Sequence, residues 1–350
     1  MNVKALFLVL SLILPAPAAA QGFADLGSAA NAFAVPQPDT VLRFPADHGA
    51  HPDFRIEWWY LTATLTGADG RPYGVQWTLF RSAMRPGEAP GWRSPQLWMG
   101  HAALTSATEH HVAERVARGG IGQAGVQADP FRAWIDDWTM QGTDKGGLNR
   151  LSLTARGAAF RYELDLQADA PLVLHGDRGY SVKSAAGQAS HYYSQPAYRV
   201  SGVLHLPDGP VEVNGQGWLD REWSSQPLAA DQTGWDWFSL SFDDGARMMG
   251  FRLRDSGAGY TSATWIFPDG RSLSLPDGAL AITPLQTHAV QGRSIPVRWQ
   301  VSLPARGLQV EVTALNPQSW MNTSFPYWEG PVTVAGSHAG RGYLEMTGYD

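Results

Sequence analysis

The 350-residue chain contains no cysteine. That excludes disulfides, thiol chemistry, cysteine-ligated metals and a lipidated cysteine behind any leader, so the fold must be held by its core alone. Charge is also scarce. Only 17% of residues are Asp, Glu, Lys or Arg, and the formal net charge is -6. No basic cluster occurs, which makes nucleic acid and anionic lipid surfaces poor partners. Long helical stretches are missing too; 38 Gly and 24 Pro suit short strands and turns better. There is no His-Glu-x-x-His pair and no Gly-x-Ser-x-Gly elbow, so neither zinc hydrolysis nor a serine nucleophile is indicated. Nothing predicts a metal or another cofactor; His101, His175 and His191 would have to converge in space to hold one. Gly120 to Gly125 satisfies Gly-x-Gly-x-x-Gly, but it follows a helix-like stretch and opens no helix, so it is no nucleotide loop.

Apolar and aromatic residues are plentiful. The chain is 44% hydrophobic and carries 15 Trp, which points to a large core and to aromatic-walled pockets. Residues 1–20 read as a secretory signal: Lys4, the apolar run Ala5–Leu14, and Ala18-Ala19-Ala20 before Gln21. The expected location is therefore the periplasm or outside the cell. Residues 21–40, rich in Ala, Gly and Pro, read as a flexible arm.

Beyond that point, strand signals dominate. Trp58 to Leu65 alternates, Asp69-Gly70 marks a turn, and Tyr73 to Arg81 alternates again, as a hairpin does. Trp235 to Phe242, Asp244-Gly245 and Arg247 to Asp255 repeat the style, and the pairs continue to Thr347. Tyr192 to Leu206 reads as strand interrupted at Pro196. One amphipathic stretch, Thr108 to Arg118, predicts a short helix. Many short strands with turns between them predict an all-β chain of sandwiches or barrels. The length suits two domains, 41–225 and 226–350, with the boundary near Ser225.

Gly215 to Leu240 is the densest stretch, with four Trp and four acids. Extended, it puts Trp218, Asp220 and Glu222 on one face and Leu219, Arg221 and Trp223 on the other. An indole beside carboxyls suits a pocket wall. A carboxyl in an aromatic pocket has its pKa raised and can stay protonated as a general acid, and aromatic faces attract a developing cation. Asp220, Glu222 and Asp236 are the candidate acids; Trp218, Trp235 and Trp237 are candidate ligand contacts. The competing reading of Asp220-Arg221-Glu222 is an ion-paired hinge between domains.

Trp-Leu-Asp-Arg-Glu-Trp from Trp218, followed by Gly234-Trp-Asp-Trp-Phe, resembles the carotenoid 1,2-hydratase / AttH-like family of lipocalin-like proteins. Glu57-Trp58-Trp59-Tyr60, His175-Gly176-Asp177, His191-Tyr192-Tyr193-Ser194, Tyr327-Trp328-Glu329-Gly330 and Gly340 to Glu345 fit the same pattern in the same order. The resemblance implies two lipocalin-like β-barrel domains packed together. It also brings in Trp59, Tyr60, His175 and Tyr193 as ligand-contact candidates, although core packing competes for Trp59 and Tyr60, and a tight turn for His175. The hydratase members imply acid-catalysed hydration or isomerisation of a hydrophobic, isoprenoid-like molecule. The AttH members imply instead a non-catalytic ligand-binding accessory working with ABC-type transporter components.

Overall fold

The computed structural model describes residues 32–143, 147–226 and 228–349; the expected signal and most of the expected arm lie outside them. The regular structure of the described chain is nearly all strand, with helix confined to short 3-10 turns such as Ala46–His48, Gly91–Arg93 and Pro304–Arg306. The first sheet is built from β1 (Ile56–Gly67), β2 (Pro72–Ala83), β3 (Gln96–Ser106), β4 (His110–Arg118), β5 (Ala124–Ala128), β6 (Phe131–Ile135), β7 (Trp138–Gly142), β8 (Arg150–Arg156), β9 (Arg161–Ala168), β10 (Val173–Leu174), β11 (Tyr180–Val182), β12 (Ala189–Leu206) and β13 (Gly209–Ser224). Its order is β4-β3-β2-β1-β13-β12-β9-β8-β7-β6-β5, and it curls into a nearly closed barrel.

The second sheet follows: β14 (Gly234–Phe242), β15 (Arg247–Arg254), β16 (Tyr260–Ile266), β17 (Ser272–Leu275), β18 (Ala281–Val290), β19 (Arg293–Leu303), β20 (Leu308–Ala314), β21 (Trp320–Met321), β22 (Tyr327–Gly336) and β23 (Gly340–Met346). Its order, β17-β16-β15-β14-β23-β22-β20-β19-β18, forms a curled half-barrel. The chain thus has the all-β architecture that the strand pattern predicts, in the two barrel-like units that the resemblance implies.

One element is corrected. Thr108 to Arg118, expected as a helix, is mostly strand β4, paired antiparallel with β3 from Leu97↔Arg118 to Thr105↔His110. The local amphipathic spacing loses to tertiary pairing: β3 offers an open edge, and Glu114 is held from across it by His101 and by Ser324. The expected break at Pro196 is a bulge, a register shift between Gln195 and Tyr198 within continuous β12.

Alternation decides what each face does. Along β1, Trp59, Leu61, Ala63 and Leu65 point into the first barrel and are buried. With Trp77, Trp138, Tyr162 and Tyr198 they fill its interior with packed rings. Within that core Arg221 and Arg81 both bind Glu57, at 2.7 and 2.9 Å, and the Arg221 guanidinium lies 3.9 Å from the Trp59 ring centre. In the second sheet Phe238 and Leu240 of β14 pack inward with Trp299. The outer faces of the two sheets meet in a third cluster of Tyr60, Tyr192, Trp218, Trp237, Phe251 and Tyr343. A glycine lets them close: a Cβ on Gly74 would stand 2.5 Å from Pro331 Cγ and 2.8 Å from the Tyr343 hydroxyl.

Candidate active site

The outer face of the first sheet carries one polar row across six strands. Register places Glu114 beside His101, His101 beside Thr78, Thr78 beside Tyr60, Tyr60 beside Asp220, and Asp220 beside Ser194. Trp218 and Glu222 flank Asp220 on the same face, as the alternation predicts. The facing row of the second sheet is Trp237, Glu345 and Glu329, in register on β14, β23 and β22. These two rows press together and are joined by hydrogen bonds. Tyr60 donates to Glu329 Oε1 at 2.5 Å. Trp237 Nε1 donates to the Tyr192 hydroxyl at 3.1 Å.

Asp220 is the centre of the network. Its Oδ1 accepts from Trp218 Nε1 at 2.6 Å and from the Ser194 hydroxyl, and its Oδ2 accepts from Tyr192 at 2.5 Å. His175 lies 2.6 Å from Ser194 Oγ through Nε2 and 2.9 Å from Thr264 Oγ1 through Nδ1. Because Ser194 gives its proton to Asp220, Nε2 is the donor and Nδ1 accepts from Thr264. Burial keeps this imidazole well below its ordinary pKa, hence neutral. The arrangement is not a nucleophile triad: the carboxyl holds the serine rather than the imidazole. The His175 turn is real as well. A Cβ on Gly176 would come 2.1 Å from the Tyr180 carbonyl, and its φ of 67° is in the left-handed region, so only glycine fits.

The buried acids fall into two kinds. Asp236, expected as a candidate acid, faces the core of the second sheet, where Arg252 and Arg254 take its two oxygens at 2.8 and 2.5 Å and Tyr349 adds a third contact. That geometry is structural and removes it from the site. Glu222 is held by Lys183 at 2.8 Å and by Ser190 at 2.5 Å. Arg221 turns away from both of its acidic neighbours and pairs with Glu57, so the expected ion-paired hinge does not form.

Asp220, Glu329 and Glu345 are different: among the described residues none of them has an ion-pair partner. Burial is the main cause that raises Asp220, against the pull of its three hydrogen bonds, to about 7. Glu345 accepts from Trp235 Nε1 at 2.6 Å; burial, helped by the charges of Asp220 and Glu222, raises it to about 7. Glu329 is driven well above the carboxylate range by burial and then by Glu345. Glu345 is walled in by protein yet keeps accessible surface, as a side chain lining a crevice does. Trp58, Leu228, Trp235 and Tyr260, half-buried, border the same cluster.

Of the expected ligand contacts, Trp218, Trp235, Trp237, Tyr60 and His175 come together here. Trp59 and Tyr193 do not. They point into the first barrel, against Arg221 and His48 respectively. Glu329 and Glu345 were missed, although both lie within the quoted motifs. The available signal was position: each follows an aromatic two residues earlier, Tyr327 or Tyr343, on the same face.

The AttH-like family matches residues 35–349. The chain belongs to that family. Among solved structures, a candidate AttH from Nitrosomonas europaea is 34% identical, with a TM-score of 0.81 over 91% of this chain and 99% of that one. The kievitone hydratase of Nectria haematococca is 16% identical, with a TM-score of 0.66 over 91% of this chain and 98% of the other, a likeness of fold. None of the curated proteins compared matches. The AttH-like chain therefore shares its two-sheet architecture with both, and its buried acids sit on the seam between the sheets.

Proposed function

We propose that this AttH-like protein binds a hydrophobic, isoprenoid-like molecule at the seam between its sheets and adds water to it, or shifts its double bond, by acid catalysis after export. The supporting observation is the contrast among its buried carboxyls. Glu57 and Asp236 are each held by two guanidiniums, whereas Asp220, Glu329 and Glu345 have none. Carboxyls with pKa values near 7 serve as acid and base at neutral pH. The interior of the first barrel is filled by packed rings, and this reading puts the ligand at the seam instead.

In this reading one of the coupled pair Asp220 and Glu345 is protonated and the other ionised. The protonated carboxyl gives its proton to an alkene carbon. The cation formed lies among Trp237, Tyr60 and Trp235, whose ring faces stabilise it. The ionised carboxyl takes a proton from the attacking water, so the product is an alcohol and the pair is restored. Trp218, Tyr192, Ser194 and His175 hold Asp220 in place.

The half-buried aromatic rim of Trp58, Trp235 and Tyr260 favours a second reading, a carrier that holds the ligand for an ABC-type export or attachment system without altering it. One experiment separates the two. A panel of isoprenoid alkenes and fatty acids is titrated while tryptophan fluorescence is followed, and bound ligands are incubated in labelled water for mass spectrometry. Water incorporation that falls ~10²-fold in Asp220→Asn or Glu345→Gln, with binding retained, supports the enzyme. Fluorescence change without incorporation supports the carrier, and a flat titration across the panel overturns both.

A further inference from the structure

Glu329 is among the most deeply enclosed acids at the seam, and its surroundings contain a route out. Its Oε1 accepts from Tyr60 at 2.5 Å, while its Oε2 is buried with no hydrogen-bond partner among the described residues. Two residues back on the same face of β22, the Tyr327 hydroxyl interacts with this carboxyl. Tyr327 in turn stands 3.0 Å from His101 Nδ1, and His101 Nε2 stands 3.2 Å from Glu114 Oε1. His101 is fully buried, but the Glu114 side chain is 24% exposed. Glu114 lines an open cleft with His110, Gln291, Gln318 and Trp320, at the β4 edge of the barrel. Hydrogen bonds therefore join phenol, imidazole and outer acid in a line to solvent, and Glu329 stands beside the phenol at its inner end. The unpartnered Oε2 of Glu329 is a buried carboxyl oxygen free to carry a proton, at the inner end of that line.

We propose that Glu114, His101 and Tyr327 form a proton path that loads and unloads Glu329 from a solvent face separate from the aromatic rim. This rests on the acid-catalysis reading and says how the acids of the seam exchange protons while a hydrophobic ligand covers the rim. In the resting state His101 carries its proton on Nε2, donating to Glu114, and Nδ1 accepts from Tyr327. To unload, the O–H bond of Glu329 breaks as its proton passes to the Tyr327 oxygen. The former phenol proton passes to His101 Nδ1, the Nε2 proton passes to Glu114, and Glu114 releases it to water. One proton leaves, no electrons move, and the reverse sequence reloads the acid with no ring flip. Glu345 lies directly across the strands from Glu329, so the charge state of one bears on the other. Tyr60, Tyr343 and Tyr162 complete the titratable shell around Glu329.

The test needs no substrate. Infrared spectra of the full chain in water should show a protonated-carboxyl stretch that disappears in Glu329→Gln, and its downshift on transfer to heavy water times the exchange of that proton. Tyr327→Phe keeps the ring and removes only the relay hydroxyl; Glu114→Gln changes only the outer end and keeps an amide oxygen to accept from His101 and Ser324, and the far-ultraviolet circular dichroism of both variants is matched to the parent. Both should keep the band and slow its exchange by an order of magnitude or more. Exchange as fast as in the parent in Glu114→Gln and in a folded Tyr327→Phe overturns the path. Absence of any band assignable to Glu329 in the parent instead overturns the neutral-acid reading beneath it, so the two failures are distinct.

Discussion

Replacing Asp220 by Asn tests whether its proton is a property of the fold. Its pKa rises from the ordinary 3.8 to about 7. At about 1.36 kcal/mol per pKa unit, ionising it in place costs about 4 kcal/mol more than ionising it in the unfolded chain. The folded state binds the proton more tightly, so the associated stability is fully present below 3.8 and is lost as pH rises through about 7. Asparagine cannot ionise and escapes that loss. It has its own cost: its oxygen can stay under Trp218 and Ser194, but its NH₂ then faces the Tyr192 hydroxyl, which must turn to accept, at about 1–3 kcal/mol. The variant should therefore be the less stable protein in mild acid and the more stable one in mild base. Because Asp220 also helps to raise Glu345, losing its charge should flatten the variant's pH dependence further. Urea unfolding of parent and variant at a series of pH values reads this directly. Parallel curves, or a variant whose deficit grows as pH rises, would refute the reasoning, since the latter is the signature of a carboxylate held ionised by a cation.

Two further substitutions probe the scaffold. Glu57→Gln leaves Arg81 and Arg221 buried without a counter-charge and should destabilise by about 3–5 kcal/mol in a urea melt at neutral pH; since the arginines and His51 outweigh burial and depress the Glu57 pKa, the gap should narrow in acid, where the parent loses the same contribution. Gly74→Ala sets a methyl against Pro331 and Tyr343 and should cost about 1–3 kcal/mol, with the near-ultraviolet circular dichroism of the seam tryptophans altered; an unchanged melt would mean that the sheets do not close on that glycine.

Much of this was legible in the chain. Period-two alternation alone put Trp218, Asp220 and Glu222 on one face and Arg221 on the other, because a strand has no other way to place them. It could not say that Arg221 would find Glu57, which is 164 residues away and reached only through the pairing of β1 with β13. Asp236 shares a face with Phe238 and Leu240 and is buried with them, but burial does not reveal whether an arginine is waiting. Glu329 and Glu345 become a pair only when β22 meets β23, and become acids of the seam only when Tyr60 arrives from 269 residues upstream. The misread helix at Thr108 has the same origin: local spacing was a fair guide until an unpaired edge of β3 needed covering.

The chain leaves the first sheet at Ser224 and enters the second at Gly234, so one covalent crossing joins the two walls of the seam. Burial is the largest cause that raises Asp220 and Glu345, and the contact between the two walls is part of what buries them. A separation wide enough for a layer of water would return both carboxyls to the ordinary range and leave them ionised at neutral pH. Acid strength here is thus a gauge of how closely the two sheets are pressed together.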